Sequence, residues 1–439
     1  MKSTLNFFLL IILLAAKPGI SFSQTADTIS FRDILAVALE NNYQLIITKN
    51  DAEIAANNNT AGNAGFLPTL DVSAGNNTSI VNSNQKFYDG RVKDATGAQN
   101  NAFNALAELN WTVFDGLKMW ASKDRLAELE NMGMLSVQLE VEMTFLDLAS
   151  LYYELVQQQK LLQVLKYSME VSRARFILAE KKFSIGASSE VDLNQAKIDM
   201  SEDSTMLIKQ DILIKNLQAD INVVAARPPE IKFSAATEID IETTLDYPSL
   251  LASMKNQNYS LMIARSNAMV RQLEIKEKKA ALMPNLSLFT DYSYAKSNSE
   301  TGLLQTNTTS GPTFGITFRY NLFNGLNDRR ELQNSKIYYE SATIQNDQLL
   351  NALNAELYKA FNSYSGALQE VSLERNNLEN AGKNLTIAIE LYKAGAINEI
   401  EFRDIQQKAL EAENRLLTAE YLAKIAELNL RQLSGKLEI

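Results

Sequence analysis

The side chains whose type and spacing suit chemistry are carboxylates placed just beyond two glycines. In Phe183-Ser184-Ile185-Gly186-Ala187-Ser188-Ser189-Glu190-Val191-Asp192, acids stand four and six residues after the glycine. Tyr392-Lys393-Ala394-Gly395-Ala396-Ile397-Asn398-Glu399-Ile400-Glu401 repeats that spacing. A glycine here suits a left-handed helix C-cap, Ser188 and Asn398 suit N-caps, and acids in a first turn complement the helix dipole. Glu401 and Asp404, three residues apart, share a helix face. Their chemistry is electrostatic rather than covalent.

Composition removes most other chemistries. The 439 residues contain no cysteine and no histidine, which excludes disulfides, thiolate or imidazole zinc sites, His-ligated haem and His-based acid–base catalysis. With 42 basic against 52 acidic residues, the net charge of −10 has the wrong sign for a nucleic-acid binder. No phosphate-cradling glycine loop or nucleophile motif is present. No catalytic residue, metal site or cofactor is expected, and the chain reads as a non-enzyme. Met132 and Met134 read as packing rather than a soft-metal site, and Glu140 and Glu142 as a solvated helix face.

The elements that position the acids follow from periodicity. Residues 1–23 read as an export signal: Lys2 is followed by the apolar run Phe7 to Ala16, and Ser21 and Ser23 stand at −3 and −1 before Gln24. No later run is apolar enough for a spanning helix. The remainder divides into a first repeat over 24–226, a linker over 227–247 with at most one strand near Ile239 and Ile241, and a second repeat over 248–439. Asn42-Tyr43 and Asn258-Tyr259, like Pro68 and Pro284, stand 216 residues apart. Trp111 to Gly116 and Tyr320 to Gly325, like Gly186 and Gly395, stand 209 apart. The difference of seven predicts a longer loop in the first copy between Pro68 and Trp111.

Each copy reads as a helix, a strand pair (about 66–114 and 283–323), a long helix (115–184 and 324–392) and a further helix (188–225 and 398–434). Leu357, Phe361, Tyr364, Leu368, Val371, Arg375, Leu378, Gly382, Leu385, Ile389 and Tyr392 form a heptad seam. Subtracting 209 predicts a poorer seam: Leu148, Tyr152, Leu155, Gln159, Leu162, Lys166, Met169, Arg173, Phe176, Glu180 and Phe183. Such rods would be about 100 Å long at ~1.5 Å per residue. The strands alternate: Phe314, Ile316, Phe318, Tyr320 and Leu322 share one face, and Phe103, Ala105, Ala107, Leu109, Trp111 and Val113 another. Asn76 to Asn101 and Lys296 to Pro312, rich in Asn, Ser, Thr and Gly, read as exposed loops.

Strands with one apolar face and about ten residues suit a lipid-facing barrel. Four cannot close one, because an open edge in lipid leaves backbone groups unpaired, so spanning strands require oligomerisation. Pro68 and Pro284 end the helices before the first strands. Asp115-Gly116 and Asn324-Gly325 join the second strands to the long helices, with Asp115 and Asn324 as N-cap residues.

On the twofold repeat, Leu67-Pro68-Thr69-Leu70 with Met283-Pro284-Asn285-Leu286, the Phe-Asp-Gly and Phe-Asn-Gly strand exits, and the turns at Gly186 and Gly395, the chain resembles the TolC-type outer-membrane efflux proteins. The resemblance covers essentially the whole mature chain. It implies a mixed, mostly α fold: a homotrimer with a 12-stranded transmembrane barrel, four strands per chain, continued by a periplasmic coiled-coil barrel. It implies outer-membrane location, lipid around the barrel, and partners in a periplasmic adaptor and an inner-membrane efflux pump or ABC exporter. The adaptor would dock at the turn tips Gly186, Ala187, Gly395 and Ala396. It also singles out Asp192, Glu401 and Asp404 as an acidic ring at the periplasmic entrance. Glu401 replaces a shorter Asp, and Ile397 stands where an Arg often sits. The expected function is passive exit of substrates driven by the pump. A type I protein secretion duct and an exported coiled-coil adhesive or structural protein are the alternatives.

Overall fold

The computed structural model describes residues 28–236, 238–302 and 304–437, and the expected export signal lies outside them. The elements in order are β1 (Thr28–Ile29), α1 (Phe31–Asn41), α2 (Tyr43–Asn58), α3 (Ala61–Ala64), β2 (Thr69–Lys86), β3 (Val92–Phe114), α4 (Lys118–Ser184), α5 (Glu190–Val224), β4 (Ser234–Ala235), α6 (Tyr247–Gln257), α7 (Tyr259–Ala280), β5 (Asn285–Ser299), β6 (Thr306–Arg319), α8 (Asn327–Lys393) and α9 (Glu399–Ser434). Helix dominates. The strands form one antiparallel sheet, ordered β2-β3-β5-β6, and a small parallel pair β1-β4. No helix among the described residues is long and apolar enough to cross a membrane.

The sheet has two chemically distinct faces. Leu70, Leu109, Thr290 and Phe314 are cross-strand partners in one row, and Val72, Ala107 and Tyr292 continue that face. In the intervening row Asp71 opposes Glu108, which opposes Asp291. β2 and β6 are the sheet's two edges.

The loop expectation is corrected. β2 and β3 stay paired to Lys86 and Val92, and β5 and β6 to Asn298 and Thr306. The first copy's seven extra residues therefore lengthen a hairpin, with a bulge between Val81 and Ser83, and leave a tight turn over 87–91. Asn, Ser and Thr on both faces erase the alternation that marks a lipid-facing strand, but backbone pairing does not require alternation.

The strand-to-helix junctions are also corrected. β6 ends at Arg319 rather than near Phe323, and the long helices begin at Lys118 and Asn327 rather than 115 and 324. Between strand and helix, Gly116 and Leu117 (φ 74° each) and Gly325 and Leu326 (φ 71° and 64°) are consecutive left-handed residues. Leu117 and Leu326 thus take the cap positions without a side-chain bond, displacing Asp115 and Asn324. Asp115 Oδ1 still accepts from the Met119 N–H at 3.2 Å. A Cβ on Gly116 would lie 2.6 Å from the Ala280 carbonyl oxygen, so packing as well as φ demands glycine there. Pro68 and Pro284 each lie one residue before a strand, downstream of the helix ends at Ala64 and Ala280.

α4 and α8, 67 residues each, are the rods. The shorter helices stack end to end beside them through two asparagines. Asn42 Oδ1 accepts from Leu45 N–H (3.0 Å) to cap α2, while its Nδ2 donates to the Val224 carbonyl at the end of α5 (2.9 Å). Asn258 does the same between α7 and α9, at 3.0 Å from Leu261 N and 3.1 Å to the Leu433 carbonyl. One side chain satisfies an orphan donor of one helix and an orphan acceptor of the next. Around the middle of the rods, Tyr152 Oη donates to the Ile29 carbonyl and accepts from Ala236 N–H. Ile239 and Ile241 are not in a strand; they pack against the helices.

The seam of α8 is inward facing at Leu357, Tyr364, Val371 and Tyr392, with Arg375 exposed. In α4 the seam steps back by one residue after Leu162: Leu165, Ser168, Ser172, Arg175 and Ala179 are buried, whereas Lys166, Arg173 and Glu180 are exposed. Burying three unpartnered charges would cost more than the shift in register. Glu142 is a further correction, since it is buried at 4% exposure instead of lying on a solvated face.

Burial pushes the Glu142 carboxyl up to about 7, against a hydrogen bond from Gln432 that lowers it. A carboxyl whose folded value lies above its unfolded one favours folding when protonated, so its destabilising effect grows as pH rises from about 4.5 through about 7. Glu142→Gln is expected to raise the melting midpoint of the helical circular dichroism signal at pH 8, by up to about 3 kcal/mol in stability, and to change little at pH 4. An unchanged midpoint at pH 8 would remove the burial penalty.

Candidate functional site

The two helix turns form the tip of the rods. Gly186 (φ 73°) and Gly395 (φ 77°) are left-handed. Around them Gly186 N–H donates to the Phe183 carbonyl and Ala187 N–H to Lys182; Gly395 and Ala396 repeat this with Tyr392 and Leu391. These are paired closing bonds that satisfy the last carbonyls of α4 and α8.

The cap expectation holds at Asn398 and shifts at Ser188. The N-cap of α5 is Ser189, whose Oγ accepts from Asp192 N–H at 3.2 Å, while Asp192 Oδ2 accepts from Ser189 N–H at 3.1 Å. Glu401 completes the equivalent box with Asn398 at 2.9 and 3.2 Å. Spacing explains the shift, because Ser189 has an acid three residues on and Ser188 has Val191. Asp404 pairs with Lys408 at 2.6 Å on an exposed face.

A cleft of about 370 Å³ separates the turns, lined by Lys182, Ser188, Asp192, Tyr392, Asn398 and Glu399 among others. The structure brings Asp192 into this cleft. Glu401 and Asp404 lie outside it, exposed on α9. Lys182 Nζ sits 4.8 Å from the Tyr392 ring centroid.

Sequence reasoning missed a buried polar network directly behind the tip. Arg175 on α4 is ion-paired to Asp199 on α5, and its Nε lies 2.7 Å from Glu399 Oε1 on α9. Tyr392 on α8 donates to Glu399, and burial, reinforced by that adjacent carboxylate, holds the phenol well above its usual range. Arg403 forks onto Asp203 at 2.8 and 3.2 Å. Gln406 Nε2 donates to Ser168 and Ser172 hydroxyls at 3.1 Å each, and Ser172 donates to Asp203 at 2.5 Å. Glu399, read as a dipole-complementing acid, is in fact buried at 8% exposure as the counter-charge of Arg175. The signal in the sequence was a seam of Ser168, Ser172 and Arg175 facing acids at Asp199 and Asp203.

An amphipathic sheet opening into paired rods that end in tight turns is the architecture of this chain. No group of three or more His, Cys, Asp or Glu side chains able to hold a metal occurs among the described residues. The chain belongs to the outer membrane efflux protein family, which it matches over residues 34–211 and 250–436. Its site of action is the outer membrane. It is 18% identical to the outer membrane protein TolC of Salmonella enteritidis over 80% of this chain and 72% of that one. It is 20% identical to the proteases secretion protein PrtF of Dickeya chrysanthemi, covering 94% and 89%. Its fold matches the CmeC outer membrane channel of Campylobacter jejuni with a TM-score of 0.76 at 15% identity, over 92% and 85% of the two chains.

Arg175→Met leaves Glu399 buried without a cation and Asp199 with only Arg403, at 4.0 Å, a change on the order of 3–5 kcal/mol. Hydrogen exchange across 168–203 and 388–406 should accelerate accordingly. Asp404→Ala, which removes only an exposed pair worth about 0.3–0.5 kcal/mol, should leave those peptides unchanged. Equal protection in both variants would show that the network does not hold the tip.

Proposed function

We propose that three copies of this chain close one barrel of twelve strands, four from each copy, with β6 of each copy pairing to β2 of the next. The observation that carries this reading is the two-faced sheet with two open edges. Asp71, Glu108 and Asp291 stand directly opposite one another on adjacent strands, an arrangement that repels unless water and counter-ions screen it. That face suits an aqueous lumen and the apolar face suits lipid, where neither edge can remain unpaired. The export signal at 1–23 carries the chain out of the cytoplasm, and the rods continue the barrel as a periplasmic tube.

In this reading the protein is the exit duct of a tripartite efflux system. The tips at Gly186, Ala187, Gly395 and Ala396 meet a periplasmic adaptor, and an inner-membrane pump or ABC exporter supplies the energy. Asp192, Glu401 and Asp404 carry negative charge to the periplasmic entrance. Lys408 offsets Asp404, so Glu401 carries the larger share. Protein secretion is the second reading, favoured by the likeness to PrtF along nearly the whole chain.

Conductance of the detergent-purified oligomer in planar bilayers tests both duct and entrance. Stable cation-preferring channels are expected, with the preference lowered by Glu401→Gln and less so by Asp404→Asn. Channels indifferent to both substitutions keep the duct and remove the entrance residues. Absence of conductance from a protein that stays soluble without detergent refutes the duct.

A further inference from the structure

A groove of about 290 Å³ lies where the sheet meets the helices, between the start of α4 and the end of α7. Its walls include Leu117, Trp120, Asp124, Lys276, Lys279 and Met283. Trp120 is 47% exposed and Leu117 54% exposed, an unusual outlay of apolar surface on a helix that has α7 beside it. Both lysines are exposed and neither makes an ion pair among the described residues. Their neighbours are already engaged, Glu277 with Arg125 at 2.8 Å and Lys278 with Glu331 at 2.9 Å. Two lysines against the single Asp124 leave the groove positive.

The groove opens toward the apolar face of the sheet. Trp111, on that face, donates through Nε1 to the Phe66 carbonyl at 2.9 Å, and the Phe66 ring stands edge-on to Trp120 at 5.1 Å. A second cavity at the same junction, which shares Ala280 and Met283 with the first, is lined also by Thr112, Lys118, Ser122, Arg319 and Asn321, residues of the polar face and its continuation. The α4 start thus gives Leu117, Trp120 and Asp124 to the first cavity, and Lys118 and Ser122 to the second. The apolar band of β3 runs from Phe103 to Val113 and stops at this junction, which puts the groove at the helix-side border of the hydrocarbon.

We propose that this groove binds the headgroup of an anionic phospholipid of the inner leaflet, an inference that rests on the membrane-spanning reading above. Lys276 and Lys279 take the phosphate, Trp120 occupies the headgroup level where indoles settle, and Leu117 and Met283 meet the upper acyl carbons. Basic residues between helices at a membrane border attract anionic headgroups in this way. The site lies between two helices of one chain, away from the open sheet edges, so copies assemble without covering it.

Brominated lipids report the contact through Trp120 as sole indole, in a Trp111→Phe background reconstituted into vesicles. Brominated phosphatidylglycerol should quench severalfold more than brominated phosphatidylcholine at equal mole fraction, and Lys276→Gln with Lys279→Gln should bring the ratio to one. Native mass spectrometry of the protein with both tryptophans intact, with and without the lysine substitutions, gives the same comparison as retained phosphatidylglycerol. Excess inorganic phosphate should not displace it. A ratio of one in the unsubstituted background, or a preference that survives the lysine changes, overturns the site while leaving the barrel standing. Quenching by neither lipid puts Trp120 outside the bilayer and overturns the site, while conductance of the same preparation decides the barrel separately.

Discussion

Backbone hydrogen bonding in hydrocarbon is the constraint on which the rest depends. In the proposed barrel every N–H and C=O of a strand in lipid must be paired, and the outermost strands of the four-stranded sheet, β2 and β6, each have an edge without a partner among the described residues. Side-chain chemistry alone does not close the sheet. The remaining design follows from how four strands, too few for a barrel, are joined to rods of helix that carry no hydrocarbon-length apolar run.

The join is a change of period, from two to about three and a half, made within the three residues 115–117 in the first half and the seven residues 320–326 in the second. Glycine followed by leucine, both left-handed, makes it in each half of the chain. A left-handed leucine is costly because its Cβ crowds the backbone, and the strain recurs at Leu117 and Leu326, 209 residues apart. The surroundings hold it in place: Gly116 lies against the Ala280 carbonyl with no room for a Cβ. In the first half a helix capped this way starts three residues beyond the sheet's end, which leaves little slack between rod and sheet.

What was legible in the sequence was periodicity and punctuation. Alternation marked the strands near the helices, the glycines marked both turns, and the α8 seam was read correctly because its apolar residues are large. Strand continuation through Asn76 to Asn101 was not legible, since side chains wet on both faces leave only the backbone to specify pairing. The α4 seam misled for a related reason. Copying the register of one repeat onto the other put Arg173 inside, whereas Arg175 is buried because its partners Asp199 and Glu399 come from α5 and α9. Partners from distant segments carry no periodic signal. Asp192 and Glu401 were visible as acids after a turn, and the structure gives each a capping role that accounts for its spacing.

The two halves also differ in how their rods are held. Along α8 the contacts are mainly apolar, through Leu357, Tyr364 and Val371, and apolar contact is non-directional. Along the lower part of α4 the contacts are directional, with Ser168, Ser172 and Arg175 bonded to named atoms of α5 and α9. A slip of one helical turn along α8 exchanges one apolar side chain for another. The same slip along α4 would orphan the buried Arg175 guanidinium and the Glu399 carboxylate, on the order of 3–5 kcal/mol. Near the tip α4, α5 and α9 are therefore fixed in register by ions, while α8 is tied in through the hydroxyl of Tyr392 on Glu399 and by ring packing on Phe402. Sequence similarity between the halves does not extend to this difference: Arg175 has Asn384 as its counterpart 209 residues on, and no equivalent network forms there among the described residues.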